Sequence, residues 1–333
     1  MKRFLSEILP MAVETKDPVL LVGAPGIGKT AMCAVGAKKY NMRFMPFILT
    51  YTDPTDIKGV FARLANGDAD WTPPRIAKIL KEEPCLLLLD ELSTAPPVVQ
   101  SMAYQILCEK RFGDVPMHPD TVTISCANPV EEGGQFDIML PVIGRLKKYE
   151  VHADLEGTLE YFNDTYGENA HSVIGYLRRN PSDLHVMPKD GRIEPFPSPR
   201  SWEKIVRSTM AAKKLGLSAE GFAGEAIATI GEGYGTKFLT YLKALNLPSL
   251  EQVLAKDWSP KELTSDIAYI VCGMLASCAK EAKGKTLNSL WEAMKKLLDT
   301  PNRDVAALFV RKISEGGKTP PYEIINQVGE FFI

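Results

Sequence analysis

Apolar residues in the first half of the chain come in short, uninterrupted runs. Residues 18–22 (Pro-Val-Leu-Leu-Val), 43–49, 85–89, 121–127 and 147–151 each read as a strand, the third of them nearly all leucine. Residues 29–40 and 96–111 carry helical patterns between them. A strand that is apolar throughout, rather than alternating, is one buried on both faces. Such strands separated by helices build a parallel sheet covered on both sides. The expected fold of this half is α/β with a parallel five-stranded sheet. Beyond about residue 152 the strand pattern fades and apolar positions recur at helical spacing. Helices are predicted over residues 155–166, 172–179, 199–215, 219–230, 267–280, 287–298, 304–313 and 322–331. Pro-, Gly- and Asp-rich stretches such as 187–197 separate them. The expected division is an α/β domain over 1–153 and an all-α domain over 154–333.

Length agrees with that division, since 333 residues at about 150 per domain suggest two domains. Hydrophobic residues at 45% and charged residues at 24% exclude a mostly disordered chain. A net charge of −2 gives no electrostatic footprint for nucleic acid or an anionic membrane. No apolar run approaches the ~20 residues of a membrane helix, and Glu7 interrupts the N-terminus too early for a signal peptide. The expectation is a cytoplasmic protein without a membrane segment. Six cysteines without a CxxC pair and four scattered histidines predict neither a disulfide framework nor a metal centre built on these residues. The stripe Trp291, Met294, Leu297 and Leu298 reads as helix core, and Lys295 with Lys296 as a solvated face.

Two motifs carry chemistry. Gly23-Ala24-Pro25-Gly26-Ile27-Gly28-Lys29-Thr30 fits G-x-x-x-x-G-K-[ST], between an apolar strand and a helix. Glycines let such a loop turn its backbone N–H groups onto phosphate oxygens at a helix N-terminus. Lys29 then supplies charge to the β- and γ-phosphates of a bound ATP, and Thr30 a hydroxyl to Mg²⁺. Further on, Leu86-Leu87-Leu88-Leu89-Asp90-Glu91 is an apolar strand ending in two carboxylates, the form of a Walker B motif. Asp90 suits the Mg²⁺ shell, partly through water. Glu91 suits a base polarising the attacking water, which points to hydrolysis beyond binding.

With these motifs in this order, the chain resembles the AAA+ ATPases, and within them the MoxR group, which includes the CbbQ and NorQ types. The resemblance covers about residues 10–210. It implies an AAA+ P-loop core followed by an all-α lid with a C-terminal helical extension. Thr123-Ile124-Ser125-Cys126-Ala127-Asn128-Pro129 resembles the sensor 1 strand, which places Asn128 beside the γ-phosphate or lytic water. Residues 135–146 resemble the segment of the family's arginine finger, matched by Arg145. That role lies in a neighbouring subunit's site, so the resemblance implies a homo-oligomer, a hexameric ring. Ser198-Pro199-Arg200 opens a helix with a good cap and Pro at its first position, and Arg200 matches sensor 2.

The segment Asp53-Pro54-Thr55-Asp56-Ile57-Lys58-Gly59 fits the same group. Residues 60–71 resemble the helix-2 insert as a hairpin turning at Asn66-Gly67, with Phe61, Arg63 and Trp71 on it. Residues 111–117 resemble the hairpin before sensor 1. The function implied is an ATP-driven machine that remodels or activates a client protein, together with a partner carrying a von Willebrand A domain. The alternative is an AAA+ nucleic-acid motor or restriction-type translocase, against which the near-neutral charge counts. The resemblance thins beyond about residue 215. Residues 250–333 read either as extra lid helices or as a docking platform.

Overall fold

The computed structural model describes residues 3–63, 67–129, 137–188, 194–217, 219–244, 250–255, 258–259 and 263–329. The chain divides into two units, Met1–Asp154 and Leu155–Ile333.

In the first unit, β1 (Val19–Val22), β2 (Arg43–Ile48), β5 (Cys85–Asp90), β8 (Val122–Ala127) and β9 (Lys147–Glu150) form one sheet in the order β2-β5-β8-β1-β9. Every neighbouring pair in it is parallel. The leucine run explains why β5 lies inside. Leu87 and Leu89 belong to one core cluster and Leu86 and Leu88 to the other, because successive side chains leave a strand on opposite faces. The first cluster is closed by α4 (Arg75–Glu82), through Ala77 and Leu80, and by α5 (Pro97–Glu109), through Val99, Ala103 and Ile106. The second is closed by α1 (Leu9–Thr15) and the helical turn Phe4–Ile8 before it, together with α2 (Lys29–Lys39).

Helix α5 stops earlier than the pattern 96–111 suggests. Lys110 takes a left-handed conformation (φ 53°) and Arg111 begins the ribbon β6 (Arg111–Phe112) and β7 (Val115–Pro116). A second antiparallel pair joins β3 (Val60–Arg63) to β4 (Ala69–Thr72), following the short capped helix α3 (Pro54–Lys58). Arg63 pairs with Ala69, which agrees with a turn around Gly67; Asn66 lies outside the described residues. Helix α6 (Leu140–Ile143) leads into β9.

The second unit is helical. It comprises α7 (Leu155–Tyr166), α8 (His171–Arg179), α9 (Pro199–Leu215), α10 (Ala219–Ile230), α11 (Glu232–Ala244) and α12 (Leu250–Leu254). Then follow α13 (Ser265–Glu281), α14 (Gly284–Leu298), α15 (Arg303–Glu315) and α16 (Tyr322–Val328). Trp291, Met294, Leu297 and Leu298 are buried, as their spacing on α14 predicts. An aromatic cluster of Tyr176, Trp202 and Phe238 joins α8, α9 and α11, with ring centroids 5.2–5.5 Å apart. Buried Asp183 accepts hydrogen bonds from the Tyr176 hydroxyl (2.6 Å) and from Lys237 Nζ (2.9 Å), and its carbonyl accepts from Trp202 Nε1 (2.8 Å). The polar atoms of this cluster are thus satisfied where burial makes an unmet hydrogen bond costly.

His171 opens α8 at 5% exposure, edge-on to the rings of Tyr269 and Phe309. Burial, then the charges of Lys312 and Lys213, lower its pKa from 6.5 to about 4. Between those values the unfolded chain binds the proton that the folded chain refuses. The stabilisation is whole above pH 6.5 and is lost as pH falls toward 4. Unfolding by urea at pH 5 is expected to show about 2 kcal/mol less stability from this residue than at pH 7. The pH dependence of His171→Gln is expected to be shallower by that amount, and an equally steep dependence would remove His171 as its source.

Among the described residues, no helix is long and apolar enough to cross a membrane. Nor does any group of three or more His, Cys, Asp or Glu side chains converge as a metal site there.

Candidate functional site

The loop between β1 and α2 runs from Gly23 to Gly28. Gly26 (φ 80°) and Gly28 (φ 94°) occupy the left-handed region that side chains disfavour, and Gly28 is the N-cap of α2. Backbone turned in this way converges its N–H groups at the helix start, where the dipole also favours anions. Gly23 is tied to the adjacent strand by its N–H donating to Ala127 O (3.2 Å). Ala24, Pro25 and Ile27 complete the loop, with Ile27 buried beneath it. Parallel β1 and β8 end side by side, so the loop and Asn128 meet at the same C-terminal end of the sheet.

Lys29 is buried (8% exposed), and its Nζ donates to Gly23 O (2.6 Å), Ala24 O (3.0 Å) and Asn128 Oδ1 (2.8 Å). The ammonium is therefore placed by oxygens at the loop. Asn128 Nδ2 donates in turn to Glu91 Oε2 (3.1 Å). With a cation on one side and a carboxylate on the other, only one orientation of the Asn128 amide serves both. Thr30 Oγ1 donates to Asp90 Oδ2 (2.7 Å). One hydrogen-bonded cluster thus joins residues from α2 and from the ends of β5 and β8.

Glu91 sits just past the end of β5 at φ 61°, a left-handed conformation unusual outside glycine. Its N–H donates to Asp90 Oδ1 (3.0 Å), and its carbonyl accepts from Thr94 Oγ1 (2.9 Å). These contacts hold the turn that aims its carboxylate at Asn128. Buried Ser93 adds a further clamp, its Oγ accepting from Asn128 N (3.1 Å). Sequence reasoning missed Ser93 and Thr94. The only signal for them is a polar pair one residue beyond Asp90-Glu91, after Leu92, which reads equally well as an ordinary turn.

Two expected site residues are not members of that hydrogen-bonded cluster. Arg145, after α6, is exposed; its Nη1 donates to Pro141 O (3.0 Å) and its guanidinium lies 4.8 Å from the Tyr104 ring centroid. Arg200 is exposed in the first turn of α9, in the second unit. Its helix start is defined by Ser198, whose Oγ accepts from Ser201 N (3.1 Å) while Ser198 N donates to Ser201 Oγ (2.7 Å). The segment 135–136 lies outside the described residues. On the β3–β4 ribbon Phe61 is exposed and its ring meets Trp71 edge-on at 5.5 Å, with Lys58 Nζ 4.2 Å from the Trp71 ring centroid.

The donor set suits Mg²⁺: the Thr30 hydroxyl and the Asp90 carboxylate are hard oxygen ligands already side by side. Such an ion, when bound, supplies positive charge against phosphate oxygens.

Comparisons with known proteins bear on this unit. Residues 18–135 match the profile of the AAA domain, dynein-related subfamily. A stretch of 116 residues is 29% identical to Holliday junction branch migration complex subunit RuvB 2 of Synechococcus sp. (strain JA-3-3Ab), over 32% of this chain and 27% of that protein. The chain thus spans about a quarter of that relative's length. A solved structure, described as a putative ATPase from Cytophaga hutchinsonii ATCC 33406, aligns with 74% of this chain and 90% of its own at 17% identity. Its TM-score of 0.38 is too low to bear on the assignment. The matched family, the five-stranded parallel order and the loop built on Lys29 agree: the first unit has the fold of an AAA domain, an α/β core followed in the chain by an all-helical region.

Proposed function

We propose that this protein is a MoxR-type AAA+ ATPase that hydrolyses ATP in an oligomeric ring to remodel or activate a client protein, with a von Willebrand A domain protein as partner. Lys29 and the loop N–H groups bind the phosphates, and Thr30 and Asp90 hold Mg²⁺. Glu91, positioned by Asn128, takes the proton of the attacking water. Arg145 completes a neighbouring copy's site by stabilising charge on the transferring phosphoryl group, and Arg200 reports the nucleotide state to the helical unit.

The observation that carries the reading is the contrast between Arg145 and the cluster. Lys29, Thr30, Asp90, Glu91 and Asn128 are hydrogen-bonded to one another, whereas Arg145 stands exposed outside that cluster. A guanidinium presented on the surface suits action in trans. The exposed Phe61 suits contact with a client along the β3–β4 ribbon.

Mixing two inactive variants tests this. Arg145→Ala and Glu91→Gln are each expected to be nearly inactive alone. Combined one to one, sites pairing an intact Glu91 with a neighbour's Arg145 are expected to restore roughly a quarter of the native rate. Mixtures no faster than their components would exclude action in trans. A nucleic-acid motor is the second reading, favoured by the RuvB match alone. It requires ATPase stimulation by DNA that falls steeply with salt.

A further inference from the structure

A cleft of about 640 Å³ opens in the second unit, and every residue lining it belongs to that unit. Gly273, Ala276 and Ser277 form one wall on α13, and Phe309 and Ile313 of α15 give it an apolar side. His171 lies at its base. A Cβ placed on Gly273 would lie 1.8 Å from His171 Cε1 and 2.0 Å from Nδ1, so this edge of the ring packs directly against the glycine and fills the space it leaves.

The imidazole is almost wholly buried, yet its contacts are edge-on aromatic ones. Among the described residues neither ring nitrogen has a hydrogen-bond partner. A neutral imidazole carries one N–H donor and one acceptor, and neither His171 nitrogen is among the fully sealed unsatisfied atoms, so the ring can still offer a hydrogen bond to an occupant of the cleft. Two half-buried lysines line the same cleft. Lys318 Nζ donates to Ala282 O (3.0 Å), and Lys312 Nζ lies 5.6 Å from the Phe309 ring centroid. Burial lowers the Lys312 pKa, a cost that Asp164, Glu160 and Glu315 offset only in part. The carboxylates lining the cleft, Asp164, Glu168 and Glu281, are exposed together with Lys280 and are screened by solvent. Lys312 and Lys318 are thus the less exposed charges of the lining.

We propose that this cleft is a ligand site separate from the phosphate loop, taking a small organic anion whose carboxylate or phosphate oxygen accepts from the His171 imidazole and is neutralised by Lys312 and Lys318. The volume lies within the range of small-molecule sites and is far larger than a bare ion needs. An apolar body belongs against Phe309 and Ile313, with the anionic end at the imidazole.

The test is imidazole NMR of the full chain. Its four histidines, His118, His152, His171 and His185, make the signals few, and His171→Gln assigns the relevant one. Benzoate and phenyl phosphate serve as probes at constant ionic strength; benzoate carries no phosphate for the loop at Lys29, and it separates the carboxylate from the phosphate source. At least one probe is expected to shift the His171 signal saturably below about 10 mM and to raise its pKa. Lys312→Met, with its folding checked by thermal unfolding, is expected to weaken that binding about tenfold or more. No saturable shift at His171 with either probe, or binding unchanged in Lys312→Met, would overturn the proposal.

Discussion

Replacing Glu91 by glutamine is expected to lower ATP turnover about a hundred- to ten-thousand-fold while leaving ATP affinity within a few-fold of native, the size expected for loss of a general base. The geometry separates the two quantities. Glu91 accepts from Asn128 Nδ2, and a glutamine carbonyl oxygen can accept the same bond. Asn128 therefore keeps its orientation and continues to accept from Lys29, whose other acceptors are the loop carbonyls. What the substitution removes is a group able to take a proton. Phosphate release, measured beside binding of a fluorescent ATP analogue, gives both values. Native-like turnover would remove Glu91 from the mechanism, whereas affinity falling in step with turnover would make it a binding residue.

Asn128→Ala should behave differently, since it releases both Lys29 and Glu91. Two effects then combine, weaker phosphate binding and a mispositioned base. The pair of variants distinguishes a carboxylate that does chemistry from an amide that positions it.

Gly273→Ala is expected to destabilise the helical unit by about 3 kcal/mol, at the upper end for overpacking, because the added methyl would overlap the His171 ring. Backbone and a ring locked between Tyr269 and Phe309 leave little room to yield. The partner variant His171→Ala removes the obstacle, at about 1–3 kcal/mol for the lost packing. Since the two residues share one space, the double variant is expected to be more stable than additivity allows, by about 1 kcal/mol or more. Urea unfolding of the four proteins measures the coupling. Additive losses would show that Gly273 is retained for some other reason than the ring against it.

The helical unit shows most clearly where sequence patterns lose force. α11 does not stand out in the sequence, where Gly231, Gly233 and Gly235 interrupt the apolar pattern. In the fold Gly235 lies against the backbone of α10, where a Cβ would be 2.9 Å from Ile227 Cα. The glycine permits close approach of two helices, which only the tertiary packing reveals. The N-terminal helix is legible in the sequence. Phe4, Ile8, Leu9 and Ala12 are buried at helical spacing, and Ile76, Ile79 and Leu80 mark α4 in the same way.

By itself the sequence determined the α/β class of the first half, the helical character of the second and the phosphate loop. Each depends on local pattern: continuous apolar runs cannot face water, and a Gly-rich turn before Lys29 carries its own backbone geometry. Only the tertiary structure decided that Asn128 bridges Lys29 to Glu91 and that Ser93 clamps it, because 99 residues separate Lys29 from Asn128 in the chain. It also decided the left-handed turn at Glu91 and the burial of an unpartnered His171 against Gly273. Contacts between distant segments leave no period in the chain; they come from which strands pair and which helices share a face.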